Sequence, residues 1–183
     1  MALGTEYAQQ DCSLARTLEV VGERWTLLIL RDCFLGVRRF ADFETHLDIS
    51  KAVLTQRLGA LVDAGLLATV PRGARHDYVL TDRGRSLWPV LFTMTQWGEE
   101  HLAPAGRRRV FEHRPCAAAL EPSGRCPACG RVPAPEEIDS YAGPGVRGLR
   151  HDAVSLELRG RRPLLAPIGS LLPHLDSNQE PAD

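Results

Sequence analysis

Four residues between positions 113 and 129 carry donor atoms that could bind one metal ion. They are His113, Cys116, Cys126 and Cys129, in the spacing H-x2-C-x9-C-x2-C. An imidazole and three thiolates arranged in two pairs suit tetrahedral Zn²⁺. In the second pair, CPACG, Gly130 allows the backbone to fold back toward the sulfurs. With all four ligands from protein the site would be structural, because no coordination position is left open for catalysis.

Two other interpretations of these residues remain open. One Cys-x-x-Cys pair alone could be a redox dithiol instead of half a metal site. The first pair, His113-Arg-Pro-Cys116, has no glycine after its cysteine and is the weaker half of the pattern. The four residues could also have no special role.

Two further cysteines precede this cluster, in predicted helices. Cys12 opens the first helix, where unpaired backbone N–H groups favour a thiolate, so it is a candidate redox sensor. The alternative is a cysteine packed as a small apolar side chain. Cys33 lies between Asp32 and Phe34 in the second helix, and we expect it to be inert.

A second kind of chemistry, recognition of nucleic acid, is indicated by the helix that begins at the chain's only lysine, Lys51. Ser50 is a good N-cap for a helix that runs to about Ala64, and Gly65 is a good stop. Leucines spaced three and four apart predict a buried side, which leaves a polar side exposed. A polar side of this kind is usually only solvated, unless its neighbours place it against a partner. The polar side carries Lys51, Thr55, Gln56 and Arg57.

The helices and strands predicted on either side of this helix indicate how its polar side could face DNA. Three helices are predicted before residue 50, in CSLARTLEVVG, ERWTLLILRDCFLG and RRFADFETHL, the third with Phe40, Phe43 and Leu47 inward. LLATVPR and HDYVLT then predict two strands around the turn RGAR. A last helix is predicted from Thr81 or Asp82 to Leu102. This order predicts a mainly α protein with a small β-hairpin wing (α+β), a winged helix-turn-helix whose second helix can enter the DNA major groove.

Basic residues outside that helix would contact phosphate. Arg72 and Arg75 lie at the hairpin tip, and Arg38 and Arg39 begin the third helix. The Ser50 hydroxyl could touch phosphate as well as cap its helix. Residues 31–85 hold nine basic and seven acidic side chains, so binding would depend on placement more than on total charge.

Composition narrows the function classes. The net charge of the 183 residues is −1, and no run of eighteen apolar residues predicts a membrane span. No basic-then-apolar N-terminal signal is present, so we expect a cytoplasmic location. The six histidines are scattered, and neither GxGxxG nor GxxxxGK[ST] occurs, so we expect no enzymatic activity.

Proline marks the domain organisation. Eleven of the thirteen prolines follow residue 103. Residues 1–102 are therefore predicted to form the DNA-binding and dimerisation domain, and residues 103–183 a loop-rich C-terminal appendage with the zinc knuckle at 113–130. VSLELRG could be a strand in it, and SNQEPAD a disordered end.

The segments from residue 11 to 102 resemble the HxlR-type transcriptional regulators, which are related to the MarR group. The matching motifs are Cys12; G-x-x-W-T-x-x-I-L-R from Gly22; G-x-x-R-F from Gly36; I-S-x-x-x-L-x-x-R-L from Ile49; and Y-x-L-T-x-x-G from Tyr78. The resemblance implies a homodimeric regulator on a palindromic operator. It also implies, for some members, sensing of oxidants or electrophiles at the cysteine that matches Cys12. Whether such a protein is a repressor or an activator depends on where its operator lies.

The last helix independently favours a dimer. Its apolar residues cover almost the whole circumference, so it must be buried on more than one side. A partner chain is the simplest cover, and the appendage is the alternative. The apolar positions are Leu87, Trp88, Val90, Leu91, Phe92, Met94 and Trp97. A rival function for the whole chain is a winged helix that binds a protein partner and no specific DNA.

Overall fold

The computed structural model describes residue 7 and residues 9–169, and the structural statements below refer to these residues. Four helices come first: α1 (Ser13–Val21), α2 (Thr26–Phe34), α3 (Phe40–Leu47) and α4 (Lys51–Asp63). The predicted disordered end at 177–183 lies outside the described residues. None of the described helices is long and apolar enough to cross a membrane.

Helices α3 and α4 form the predicted helix-turn-helix. Asp48 ends α3 in the left-handed conformation, and Ser50 then caps α4, where its Oγ accepts a hydrogen bond from the N–H of Val53 at 3.4 Å. Leu54, Leu58 and Leu61 are fully buried on one side of α4. The N-cap and the buried stripe predicted from the sequence are therefore confirmed.

The wing is a two-stranded antiparallel hairpin of β1 (Leu67–Arg72) and β2 (Arg75–Leu80). Leu67 pairs with Leu80 at its base and Arg72 pairs with Arg75 at its tip, as the alternation predicts. The N–H of Tyr78 donates to the carbonyl of Arg38 at 2.8 Å, which ties β2 to the segment before α3. The hairpin is thus fixed to the helix-turn-helix and does not extend freely.

The single helix predicted from residue 81 to 102 is wrong: the chain forms two helices. A short α5 (Asp82–Arg85) is capped by Thr81, and α6 (Trp88–Leu102) begins a new helix. Pro89 explains the break, because it has no N–H to donate to the preceding turn but is tolerated in the first turn of a helix.

The appendage contains more regular structure than its prolines suggest. Strands β3 (Arg109–His113), β4 (Ala118–Ala119), β5 (Ile138–Ala142) and β6 (Arg162–Pro163) form an antiparallel sheet in the order β4-β3-β5-β6. The strand expected in VSLELRG is instead a helix, α7 (Ala153–Glu157). The Asp152 side chain caps it, and Val154 and Leu158, four residues apart, are both buried. That spacing fits one face of a helix, which explains the correction.

The appendage and the first 102 residues share one apolar core. The Trp88 ring of α6 lies 5.2 Å from Phe34 of α2 and 5.2 Å from Phe111 of β3, between ring centroids. After β6, the N–H of Ile168 donates to the carbonyl of Gly36 at 3.1 Å. A Cβ on Gly36 would lie 1.9 Å from the carbonyl oxygen of Ala166, so only glycine permits this approach. The boundary proposed at 102/103 coincides with the end of α6, but the packing continues across it.

Candidate nucleic-acid interface and metal-binding cluster

The start of α4 and the tip of the wing face each other across an open groove of about 570 Å³. Its lining includes four of the basic residues that the sequence singled out. Two come from the helix-turn-helix and two from the hairpin: Arg39, Lys51, Arg72 and Arg75. The fold therefore brings cations that are far apart in sequence to one surface.

The four cations differ in their partners. The Nε of Arg39 is 2.5 Å from Asp42 Oδ2, and the Nε of Arg72 is 2.9 Å from Asp77 Oδ1. Lys51 and Arg75 are exposed, and neither forms an ion pair with a carboxylate in the described part of the chain. Lys51 and Arg75 are consequently the free cations of this groove.

Thr55 and Gln56 are exposed on α4 next to Lys51. Thr55 follows Lys51 by four residues, so the two side chains are neighbours on one helix face. A helix whose first two turns present a cation, a hydroxyl and an amide can make hydrogen bonds to phosphate and to base edges.

Arg57 and Arg38, which the sequence also placed at DNA, have intramolecular partners. The Nη2 of Arg57 is 2.9 Å from Glu23 Oε2, and its side chain is only 21% exposed. The Nη2 of Arg38 donates to the carbonyl of Leu165 at 3.0 Å, across the contact with the appendage. Each guanidinium thus binds an acceptor within the chain.

His76 and Tyr78 also line the groove, and the sequence analysis did not single them out. The His76 Nε2 lies 3.0 Å from the Tyr78 hydroxyl. The signal was present, since alternate residues of a strand share a face, and these two are separated by one residue in β2. Both side chains could offer hydrogen bonds to a ligand in the groove.

The four predicted metal ligands converge at one end of the appended sheet. The candidate donor atoms of His113, Cys116, Cys126 and Cys129 all lie within 4.8 Å of one another. Zinc–sulfur bonds of about 2.3 Å in a tetrahedron place sulfurs about 3.8 Å apart, so this spacing fits such an ion. The cysteines are free thiols. The buried Nε2 of His113 has no hydrogen-bond partner among the described residues.

Three short pieces of backbone bring these donors together. His113 ends β3, and Cys116 closes the 3-10 turn that follows it. Cys126 and Cys129 flank a tight turn in which the N–H of Gly130 donates to the carbonyl of Cys126 at 2.8 Å. Gly130 has a positive φ of 73°, so the glycine after the second pair permits the predicted turn.

The protonation of the cluster also favours a metal. Burial opposes ionisation of Cys126, but the backbone N–H of Cys129 and neighbouring donors outweigh it and lower the pKa of the Cys126 thiol. Burial raises the pKa of the Cys116 thiol, and so do the hydrogen bonds that its S–H donates to the sulfurs of Cys129 and Cys126. The lowered pKa favours the thiolate at Cys126, and a thiolate is the form of cysteine that binds a metal ion.

The two remaining cysteines have opposite surroundings. Cys12 is exposed at the N-cap of α1. Cys33 is buried in α2, and burial, reinforced by Asp32, raises the pKa of its thiol far above the ordinary value. This environment favours an inert Cys33, as expected from the sequence.

Two helices leave apolar side chains uncovered. On α6, Val90, Met94 and Trp97 are exposed, although Trp88 and Phe92 on the same helix pack against Phe111 of the appendage. On α1, Leu14 is 65% and Leu18 39% exposed. The appendage therefore covers one side of α6, and none of the residues that the structure describes covers the opposite side.

Comparison with known protein families identifies the family to which the winged-helix segment is similar. A family model described as HxlR-like helix-turn-helix matches residues 20–105. The chain is 40% identical over 139 residues to the uncharacterized HTH-type transcriptional regulator Mb3122 of Mycobacterium bovis. That alignment covers 74% of this chain and 88% of the relative. It is longer than the family match, so the likeness includes residues outside 20–105.

A more distant relative and a solved structure are also described as transcriptional regulators or transcription factors. The uncharacterized HTH-type transcriptional regulator YdeP of Bacillus subtilis is 32% identical over 108 residues, covering 54% of this chain and 83% of the relative. The crystal structure of PA1607, described provisionally as a transcription factor, is 43% identical with a TM-score of 0.50. It covers 52% of this chain and 70% of the other.

Proposed function

Because the chain belongs to the HxlR-like helix-turn-helix family of DNA-binding transcriptional regulators, we propose that it binds a palindromic operator as a homodimer. The observation that carries the proposal is the groove between α4 and the wing, where Lys51 and Arg75 are exposed cations without a carboxylate partner. Unpaired cations on a shared surface are what a phosphate backbone attracts.

In this proposal α4 is the recognition helix. Lys51, Thr55 and Gln56 reach the major groove from its first two turns, while Ser50 holds the start of the helix as its cap. Base contacts from these residues would set sequence preference, and the Lys51 ammonium would also neutralise phosphate.

The wing and the start of α3 would fix the protein on the duplex. Arg75 and Arg72 project at the hairpin tip toward phosphate or an adjacent minor groove, and Arg39 does so from α3. On binding DNA, Arg39 and Arg72 would replace part of their contacts with Asp42 and Asp77 by contacts with phosphate. We leave Arg38 and Arg57 out of the contacting set, because both are partly buried and bound to acceptors within the chain.

The uncovered apolar side chains of α1 and α6 support the homodimer. A two-fold pairing through these faces would remove Met94 and Trp97 from water and present two recognition helices to half-sites about one helical turn apart. The partners of this chain would then be double-stranded DNA and a second copy of itself, in the cytoplasm.

The four-residue cluster in the appendage supports a structural Zn²⁺. His113, Cys116, Cys126 and Cys129 would hold the ion with no position left for a substrate. The ion would supply a crosslink between the end of β3 and the turn at Cys126–Cys129.

Cys12 supports redox control of the same regulator. Its thiol is exposed at a helix N-terminus, next to the apolar face of α1 that we assign to the dimer. Oxidation there could alter the pairing of subunits, and so the spacing of the two recognition helices.

The experiment that tests the function is a gel shift of the purified chain with the DNA upstream of its own coding sequence. We expect Lys51→Ala to weaken binding roughly tenfold, because one charged contact to DNA is lost. Arg125→Ala, which removes an exposed cation of the appendage that does not line the groove, is the matched control and should bind as the unmodified chain does.

Thermal stability separates this result from unfolding. Lys51 is exposed with no ion-pair partner, so Lys51→Ala should melt at the same temperature as the unmodified chain. Equal affinity for Lys51→Ala and Arg125→Ala would contradict the assigned recognition face.

A further inference from the structure

Two cavities adjoin each other between the winged helix and the appended sheet, and together they form what we call the α6–β3 cleft. The inner cavity is about 410 Å³ and the outer about 510 Å³. They share four lining residues: His46, Arg108, Arg109 and Val146. Cavities of this size are typical of small-molecule sites.

The inner part of the cleft is lined by aromatic rings. Phe34, Trp88 and Phe111 contribute to its wall, and the Trp88 and Phe111 rings meet edge to face at 81°. These rings also belong to the shared core, so their positions are fixed by packing. A rigid aromatic wall favours a flat apolar group by stacking and edge contacts.

The outer part of the cleft is strongly cationic. It is lined by five arginines, and no described residue of that lining is Asp or Glu. The five are Arg108, Arg109, Arg147, Arg150 and Arg159. Like charges on one concave surface repel each other, and a bound anion would remove that repulsion.

Backbone carbonyls hold several of these cations in place. Arg150 is ion-paired with Asp152, its Nε lying 3.3 Å from the Asp152 Oδ2. Arg108 Nη2 donates to the carbonyl of Leu102 at 2.7 Å, and Arg159 Nη2 to that of Arg150 at 2.6 Å. Such neutral acceptors fix a guanidinium without neutralising it. The charges are thus preorganised for an anion, which lowers the cost of binding.

Arg109 lies where the two cavities meet. Its Nη1 donates to the carbonyl of Leu158 at 2.7 Å and approaches the Ser140 hydroxyl at 3.4 Å, and both acceptors are neutral. The nearby Glu99 carboxylate accepts the backbone N–H groups of Arg108 and Arg109 at 2.8 and 2.9 Å. Burial and the neighbouring Arg31 cation lower the pKa of Arg109 to about 10, although the carboxylates of Asp32 and of Glu99, which lines the inner cavity, oppose the shift.

We propose that the α6–β3 cleft binds a small organic anion, with a ring-sized apolar body against Trp88 and Phe111 and a phosphate or carboxylate among Arg108, Arg109 and Arg147. Arg109 at the junction would contact the anionic group, since planar guanidinium groups pair well with such oxygens.

The position of the cleft connects such a ligand to the proposed DNA-binding face. Arg31 of α2 and His46 of α3 line it, and α3 is the first helix of the helix-turn-helix. His46 Nδ1 is 3.0 Å from the Ser155 hydroxyl of α7. A ligand in the cleft would therefore touch elements of both the appendage and the helix-turn-helix.

Isothermal titration of the full chain with 1-naphthyl phosphate, in reductant and without DNA, tests the proposal independently of the regulator function. The matched neutral probe is 1-naphthol. We expect 1-naphthyl phosphate to bind with one site per chain, and 1-naphthol at least about tenfold more weakly, because it lacks the charged group. Equal affinity for the two probes, or no binding of the phosphate, would overturn the proposal.

Variants locate the site. Arg147→Gln, which removes an exposed cation of the outer cavity, should lower the affinity for 1-naphthyl phosphate about tenfold. Arg125→Gln, which lies outside the cleft, should leave that affinity unchanged. Val146→Trp should abolish binding by filling the junction of the two cavities, while Val132→Trp, at an exposed position elsewhere, should not. Unaltered binding in both Arg147→Gln and Val146→Trp would show that the phosphate binds elsewhere.

Discussion

Lys51 and Arg57 lie on the same helix, six residues apart, and meet different surroundings. The Lys51 ammonium extends into the groove beside the wing, whereas the Arg57 guanidinium is held by Glu23 from the segment before α2. A partly buried arginine with a carboxylate partner contributes to the position of α4, and an exposed lysine contributes little to stability. Because of this difference, we propose that Lys51 contacts DNA and that Arg57 positions α4.

A second prediction at the residue scale concerns Cys12. Mild oxidation with diamide should weaken operator binding, and reductant should restore it, if the exposed thiol at the start of α1 is the sensor. Cys12→Ser should bind DNA normally and be insensitive to diamide. A gel shift with and without diamide measures this.

The thiols of the metal cluster are the obvious competitors of Cys12. Loss of binding on oxidation in Cys12→Ser as well would assign the response to Cys116, Cys126 or Cys129 and contradict a role for Cys12. Zinc released during oxidation can be assayed on the same sample.

The sequence predicted which residue types could bind a metal or DNA, but it did not predict which of them have partners within the chain. The zinc-type cluster was predictable from spacing, because its four donors lie within seventeen positions and one turn brings each pair together. The pairing of Arg57 with Glu23, and the contact of Arg38 with the Leu165 carbonyl, depend on how distant segments pack. The sequence prediction that Arg38 and Arg57 contact DNA therefore depended on their charge alone, without knowledge of these partners.

At the scale of elements, local signals predicted the first half of the fold. Apolar spacing and glycines predicted α1 to α3, the Ser50 cap and leucine spacing predicted α4, and alternation with a short turn predicted the wing. The appended sheet was not predicted, because β3 pairs with β5 across more than twenty intervening residues that have no strand signal. The break between α5 and α6 depends on the single residue Pro89, which is tolerated in the first turn of a helix but would disrupt the interior of one long helix beginning at residue 82.

Metal removal tests the role of the appendage as an element. A strong chelator should release one zinc per chain and lower the melting temperature by roughly 10 °C, because the crosslink between β3 and the turn at Cys126–Cys129 is lost. Cys126→Ser should contain no stoichiometric zinc and melt at the lowered temperature without chelator. Elemental analysis and thermal unfolding measure the two quantities.

Cys33→Ser is the control for simple loss of a buried thiol, since Cys33 is buried in α2 away from the cluster. It should retain zinc. Stoichiometric zinc in Cys126→Ser would contradict the assigned ligand set, and an unchanged melting temperature after complete zinc removal would contradict its structural role.

At the scale of the whole molecule, α6 has one apolar side that packs within the chain and another that is exposed. The appendage packs on α6 through Phe111, and both Trp88 and Phe92 are covered by it. The appendage therefore accounts for one side of the apolar circumference of α6, and the exposed side is the one that we propose pairs with a second copy of the chain.

The dimer leads to a prediction about assembly. Met94 and Trp97 are 53% and 58% exposed, so glutamate at either position is tolerated in the single chain but would place a charge in the proposed interface. Met94→Glu and Trp97→Glu should sediment as monomers at concentrations where the unmodified chain is dimeric. Sedimentation equilibrium measures this directly.

Val132→Glu is the matched control, because Val132 is 66% exposed on the appendage and outside the proposed interface. It should remain dimeric. Dimers of normal strength in Met94→Glu and Trp97→Glu would place the subunit contact on another surface.

The measurement that tests the central claim most directly is the salt dependence of binding to the upstream DNA, with excess non-specific duplex as competitor. The groove cations predict tight, competitor-resistant binding at low salt. They also predict that the logarithm of the association constant falls linearly with the logarithm of salt concentration, with a slope reduced by about one in Lys51→Ala. Failure to bind either the upstream DNA or any duplex at low salt would contradict a DNA-binding role for this groove and favour a winged helix that recognises a protein partner.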